Sequence, residues 1–300
     1  MTIPESQFET WSHQGAVSSS KSTHVSIRMA LDQYEGYPDN INFDVYLQGS
    51  YKNDTNIRGQ SDVDVVVMLK SSFYGDISGL PSEQQSLYKT NFGDATYNWP
   101  NFRADVFKAL EQYYGHSEIK EGRKSIKIRN STGNRLPADV VVCMEFRKYL
   151  KFLDYYSQEY IDGIEFFVPS ENRWIVSYPK CHYENSIKKN SANATNGLYK
   201  PVVRIFKNAR SYLIDHNVIS DELAPSYFLE GLIYNVPNEN FVEGFRETVY
   251  NILKWLSETD YGQFVSPSEQ QLLFGNSPEQ WNMSNAHQLV SSFIKLWNDW

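Results

Sequence analysis

Leu47-Gln48-Gly49-Ser50-Tyr51-Lys52-Asn53-Asp54-Thr55-Asn56-Ile57-Arg58-Gly59-Gln60-Ser61-Asp62-Val63-Asp64, continued by Val65-Val66-Val67-Met68-Leu69, is the stretch on which the fold turns. A short apolar run closes in a Gly-Ser turn, a polar segment of helical character follows, and a β-branched run opens with two carboxylates one residue apart. On a strand, residues i and i+2 share a face, so Asp62 and Asp64 are expected side by side. Two anions so close repel unless a cation stands with them, and hard divalent ions such as Mg²⁺ take oxygen ligands and bridge to phosphates. Gly49 would let the backbone approach a phosphate, and Ser50 would add a hydroxyl and a backbone donor.

A third carboxylate occurs in matching context. Pro137-Ala138-Asp139-Val140-Val141-Val142-Cys143-Met144 reads as another apolar strand with an acid near its entry. If the two strands are neighbours, Asp62, Asp64 and Asp139 form one metal site. Residues 43–47 and 62–69 are the first two strands; 8–34 read as one long helix or two, and 71–86 as loop. A helix starts at Asn98-Trp99-Pro100-Asn101 and stops at Gly115. Residues 123–129 alternate as a strand with one polar face, and a turn is expected at Ser131-Thr132-Gly133-Asn134. A hairpin is expected around Pro169-Ser170-Glu171-Asn172, and 188–196 reads as a linker. Lys200-Pro201 then opens a helix to about Asp215, with Pro at its first position. Helical patterns follow at 224–234, 241–256 and 285–299. The fold class is therefore α+β: a mixed-sheet lobe followed by an all-helical lobe, with the expected division at 1–190 and 191–300.

Composition limits the function. The 300 residues carry a net charge of −8, so duplex nucleic acid is a poor partner and any polyanion site must be local. Cys143 and Cys181 offer neither a disulfide framework nor zinc-ligand spacing. With no leader pattern at the N-terminus and no run of 18 apolar residues, a cytoplasmic protein without membrane contact is expected. The three Asn-x-Thr matches at Asn53, Asn130 and Asn193 are then chance. The six histidines show no metal or triad spacing and read as structural or surface residues. Glu121-Gly122-Arg123-Lys124-Ser125 lacks the upstream glycine of a phosphate loop and is set aside.

Gly49-Ser50 followed by Ser61-Asp62-Val63-Asp64, with Asp139 in a later strand, is similar to the signature of polymerase-β-like nucleotidyltransferases. Gln48-Gly49-Ser50-Tyr51-Lys52-Asn53, Thr55-Asn56-Ile57-Arg58, Pro137-Ala138-Asp139-Val140-Val141, Tyr178-Pro179-Lys180, Arg204-Ile205-Phe206-Lys207 and Pro225-Ser226-Tyr227 narrow it. With them, nearly the whole chain resembles the bacterial CD-NTases, relatives of cyclic GMP-AMP synthase, and clade E in particular. That resemblance implies a template-independent cyclic dinucleotide synthase. It would condense two ribonucleoside triphosphates with release of pyrophosphate, in antiphage (CBASS-type) signalling through a separate effector protein that binds the product. It implies two Mg²⁺ ions, replaceable by Mn²⁺, on Asp62, Asp64 and Asp139, with Asp139 also assisting deprotonation of the attacking ribose hydroxyl.

The resemblance further assigns the donor triphosphate to Gln48, Gly49 and Ser50, the phosphates to Lys207, and the phosphates and nucleobase to Ser226 and Tyr227. An N-terminal helix would pack across both lobes, which would enclose the nucleotides. Arg204, Lys207 and Ser211, at i, i+3 and i+7, read as a basic stripe where a triphosphate would land. Taken alone, Lys207 would be a solvated helix face and Tyr227 a core residue. Ser177, in the segment that would border a base, offers a small hydroxyl and room, which favours purines and hence ATP and GTP. Two other functions fit the same residues: transfer of one nucleotide to a small-molecule, RNA or protein acceptor, and a non-catalytic nucleotide sensor.

Overall fold

The computed structural model of the chain describes residues 3–15, 18–58, 62–130 and 136–300, so Ser61 and the turn expected at 131–134 lie outside the described residues. Its elements run α1 (Glu5–Ser12), α2 (Ser18–Asp32), β1 (Phe43–Leu47), α3 (Gly49–Asn53), β2 (Val63–Asp76), α4 (Ser82–Asn91) and α5 (Trp99–Tyr114). They continue with β3 (Ile119–Glu121), β4 (Ile126–Ile128), β5 (Ala138–Asp154), β6 (Ser157–Val168) and β7 (Arg173–Ser177). The chain ends in helices α6 (Pro179–Lys189), α7 (Ala192–Thr195), α8 (Tyr199–Asp215), α9 (Ser226–Tyr234), α10 (Phe245–Glu258) and α11 (Met283–Asp299).

Two compact units emerge, and both are discontinuous in sequence. One comprises Val17–Tyr51 and Ser61–Lys180; the other comprises Met1–Ala16, Lys52–Gln60 and Cys181–Trp300. A single break near residue 190 was expected. Instead α1 belongs to the helical unit and α2 to the sheet unit, and residues 52–60 leave the sheet unit directly after the Gly-Ser turn.

In the sheet unit the strand order is β1-β2-β5-β4-β3, with β6 on the distal half of β5 and β7 beyond it. β2 and β5 are parallel, with Asp64 opposite Asp139 and Val65 opposite Val140; β1 and β4 flank them antiparallel. Val63, Val65, Val66, Val67 and Leu69 are fully buried, as expected of a central strand covered on both faces. Burying each such side chain contributes about 1.5–3 kcal/mol. The core is closed by Ile27 and Leu31 of α2 and by Phe102, Val106 and Leu110 of α5. Asn98 and Asn101 form a reciprocal capping box at the start of α5, and Gly115, at φ 90°, ends it.

Several expectations need correction. Residues 71–86 are not a loop: β2 runs on to Asp76 and α4 begins at Ser82. Tyr88 of α4 and Phe92 just after it pack with Leu80, Tyr149 and Phe152 in a satellite aromatic cluster, tertiary burial that local Gly, Ser and Pro content concealed. Residues 123–125 form a bend, and only Ile126–Ile128 pair as strand. Residues 188–196 are not a linker, since α6 and α7 fill that interval. Pro201 is the third residue of α8, not the first, still within the first turn, where no backbone partner is lost.

The helical unit is built on α8, whose Val202, Val203, Ile205, Phe206, Ala209 and Leu213 pack against α9, α10 and α11. Phe8 of α1 stacks on Trp297, and Trp11 meets Trp300 edge to face. Among the described residues, no helix is long and apolar enough to cross a membrane.

Candidate active site

The carboxylates converge at one end of the central strand pair. Asp64 and Asp139 lie opposite each other across parallel β2 and β5, so both side chains leave the same face of the sheet. Asp62 immediately precedes β2. All three are half-buried.

The Gly-Ser turn is fastened to the same place. Gln48 donates its backbone N–H to the Asp64 carbonyl at 3.0 Å. Gly49 then takes φ +64°, and a Cβ there would collide with the Asp64 carboxylate. Only glycine meets both demands, the left-handed backbone and the missing side chain. Ser50 follows it in α3. Gln48, Gly49, Ser50, Asp62, Asp64 and Asp139 are thus brought together within the sheet unit. Ser177, the last residue of β7, belongs to the same unit and pairs with Ile164.

Lys127 completes the arrangement. It lies opposite Asp139 across the β4–β5 ladder, and its Nζ stands 3.3 Å from Asp139 Oδ1 and 3.8 Å from Asp62 Oδ2. Lys127 donates to Asp139 Oδ2 at 3.4 Å, while Asp139 Oδ1 is shut off from solvent and, among the described residues, accepts no hydrogen bond. Among the described residues, no three His, Cys, Asp or Glu side chains are drawn together tightly enough to form a metal cluster; here an ammonium is the counter-ion of two of the three acids. The donors nevertheless suit a hard divalent ion: oxygen ligands only, two of them in register on one face, one with an oxygen closed to solvent.

The basic stripe expected on α8 is engaged by groups of the protein itself. Lys207 is buried: its Nζ donates to the Thr55 carbonyl at 3.2 Å, to Thr55 Oγ1 at 3.0 Å and to Glu230 Oε2 at 3.5 Å. Arg204 donates to the backbone carbonyls of Ser12 and Asp54, and Lys200 pairs with Asp54 at 2.8 Å. Helical spacing placed these cations on one face but could not reveal that Asp54 and Thr55 lie against it.

Glu230 is the centre of a buried polar network that the sequence did not disclose. Besides Lys207 it accepts from Thr55 Oγ1 at 3.0 Å, and it meets His182 Nε2 at 2.9 Å and Asn53 Nδ2 at 3.4 Å. Burial alone would raise its carboxyl, but Lys207 and His182, with the hydrogen bonds from His182 and Thr55, outweigh that and hold it at about 2. His182 is accordingly structural, as the histidines were expected to be.

Ser226 and Tyr227 open α9 after Pro225. Tyr227 keeps 40 % of its surface exposed while its hydroxyl turns inward to Ser266 and Gln271; burial pushes that hydroxyl up in pKa, more than those two bonds lower it. Its ring stands 5.8 Å from that of His182. Arg204, Lys207, Ser226 and Tyr227 all belong to the helical unit. Of the residues that bear on the site, Lys127 was overlooked: it was read only as one position on a polar strand face, and its meaning emerges once β4 pairs with β5.

Comparison with known proteins follows the same division. Residues 27–161 match the nucleotidyltransferase domain family, and residues 184–298 match the cGAS/DncV-like nucleotidyltransferase C-terminal helical domain. The chain is 48 % identical to the cyclic UMP-AMP synthase of Rhodothermus marinus (strain SG0.5JP17-172), over 100 % of this chain and 99 % of that one. It is 40 % identical to the cyclic nucleotide synthase CdnE01 of Staphylococcus haemolyticus, over the full length of both. Among solved structures, the Rhodothermus marinus CdnE c-UMP-AMP synthase with Apcpp and Upnpp superposes with a TM-score of 0.89, covering 99 % of this chain and 97 % of that chain.

Proposed function

The chain belongs to the CdnE group of cGAS/DncV-like nucleotidyltransferases, and on that premise we propose that it condenses two ribonucleoside triphosphates into a cyclic dinucleotide. The observation that carries this reading is the pairing of Asp64 with Asp139 on adjacent parallel strands, beside a glycine turn whose geometry the Asp64 carboxylate dictates.

In each of two successive steps a ribose hydroxyl oxygen bonds to the α-phosphorus of a triphosphate. The bond from that phosphorus to the α,β-bridging oxygen breaks, and pyrophosphate leaves. Asp62, Asp64 and Asp139 are the residues that would hold Mg²⁺, which when bound supplies Lewis-acid stabilisation of the charge gathering on the phosphoryl group. Asp139 takes the hydroxyl proton, its half-buried carboxylate lying beside Asp64 on the same strand face. Gly49 and Ser50 position the donor triphosphate, since the backbone can approach closely only where no Cβ intervenes. Tyr227 offers its exposed ring face to a base, a contact worth about 1–3 kcal/mol. Lys207 and Arg204 act by fixing Asp54 and Thr55 against α8. The linear intermediate re-enters the same site for closure, and a separate effector protein takes the product as a second messenger.

Ser177 supports purine bases, because a small hydroxyl at the end of β7 leaves room for the larger ring system. The test is incubation of the purified protein with the four labelled ribonucleoside triphosphates and Mg²⁺, phosphatase treatment and mass analysis, beside the Asp62→Ala/Asp64→Ala variant. A phosphatase-resistant cyclic dipurine, absent with the variant, is expected. A pyrimidine-containing product would overturn the Ser177 reading alone, and transfer only upon addition of an acceptor would overturn cyclisation.

A further inference from the structure

We propose that Lys127 is a built-in counter-cation of the catalytic carboxylates: it neutralises Asp62 and Asp139 before a divalent ion arrives and must be displaced when one binds. This rests on the assignment of Asp62, Asp64 and Asp139 as the metal-holding residues. Four features of the fold support it.

The lysine is placed by the sheet rather than by chance on the surface. Ile126 and Ile128, each 1 % exposed, anchor β4 in the core, and strand alternation then directs Lys127 to the opposite face, across the ladder from Asp139. Its Nζ lies within ion-pair distance of two acids at once, 3.3 Å from Asp139 and 3.8 Å from Asp62. Its stem is confined as well: Gly122 donates its backbone N–H to the Ser125 carbonyl at 2.8 Å, and a Cβ on Gly122 would stand 3.3 Å from both Cγ and Cε of Lys127. Finally, Asp139 Oδ1 is closed to solvent and, among the described residues, accepts no hydrogen bond, so the ammonium 3.3 Å away is its compensation until a metal supplies better.

An ammonium and a divalent cation compete for the same oxygens. The side chain of Lys127 keeps 47 % of its surface exposed, so it can swing away without unfolding the strand. The lysine therefore weakens metal binding in the free enzyme while keeping three clustered carboxylates from repelling one another. It is a positioning residue, since it acts through the aspartates.

The probe is Mn²⁺ alone, titrated into the full-length protein without nucleotide. Free Mn²⁺ is followed by electron paramagnetic resonance, and thermal melts are recorded in parallel. Lys127→Met is expected to bind Mn²⁺ about threefold to tenfold more tightly than the wild type, the loss of two half-exposed ion pairs setting that range. Its melting temperature without metal is expected to fall below that of the wild type, and the rise on adding Mn²⁺ to be the larger. Lys127→Arg, which keeps the charge, is expected to stay within about twofold of the wild type in affinity. Equal or weaker Mn²⁺ binding by a folded Lys127→Met would overturn the proposal. An Asp139→Asn variant separates the two layers. If it binds Mn²⁺ as the wild type does, or if the wild type binds none, the metal assignment fails and this inference with it. If it loses Mn²⁺ while Lys127→Met matches the wild type, only the role of Lys127 fails.

Discussion

At the scale of single residues, Gly49 and Glu230 illustrate two ways in which a side chain is fixed by its surroundings. Gly49 combines a φ of +64° with a Cβ position already filled by the Asp64 carboxylate. Gly49→Ala should therefore cost about 1–3 kcal/mol in stability from the backbone alone. Because it also pushes Asp64 aside, turnover should fall about a hundredfold or more. Denaturant melts and product yield, measured together, check the pair; full activity in the variant would remove the turn from the site. Glu230 is governed by charge. Its carboxyl is held at about 2 against an ordinary 4.5, so the folded state gives up its protons more readily than the unfolded one. The resulting stability is complete above pH 4.5 and is lost as the pH falls towards 2, in total about 3 kcal/mol. Glu230→Gln should melt lower than the wild type at pH 7, with the gap narrowing as acid is added. A gap that is constant with pH would mean the carboxylate carries no such linkage.

Among the elements, the strands were the most legible and the contacts between them the least. The β-branched runs at 63–69 and 138–144 announced two central strands, and the acids at their heads suggested the site. Nothing local, however, could state that the two strands are parallel neighbours in a register that sets Asp64 against Asp139. Lys127 was hidden for the same reason: a lysine on an alternating strand is unremarked until its ladder partner is known. α4 was missed because its stability comes from aromatic packing on β5 rather than from its own sequence. β6 carries a testable electrostatic feature of this tertiary kind. Burial of Glu165, with Asp76 nearby, raises its carboxyl to about 7. A raised acid binds more protons folded than unfolded, so it withdraws stability as the pH rises from 4.5 through 7. Glu165→Gln should consequently melt higher than the wild type at pH 8 and lose that advantage near pH 5. Melting curves that stay parallel across this range would contradict the raised value.

The whole molecule sets a different problem, because an acidic protein must admit polyanionic substrates. With a net charge of −8, the long-range field repels a nucleoside triphosphate, and the two cations of the α8 stripe do little to reverse this: Lys207 and Arg204 are committed to Glu230, Thr55, Ser12 and Asp54. The sequence disclosed the charge and the helical spacing of those cations. It could not disclose that Asp54 and Thr55 engage them, since that contact joins segments about 150 residues apart. Recognition then depends on short-range groups and on the cation that accompanies the substrate, and these differ in their response to salt. Long-range repulsion is screened within about 8 Å at an ionic strength near 0.15 M, whereas contacts in a partly buried site are screened much less. Raising monovalent salt from about 0.05 to about 0.2 M at saturating Mg²⁺ should therefore leave KM for the triphosphates level or lower it. A protein that binds through an exposed basic patch behaves oppositely, losing affinity steeply as counter-ions return to the polyanion. A KM rising severalfold over that interval would thus place an open cationic surface in the binding step and contradict the closed arrangement around Lys207.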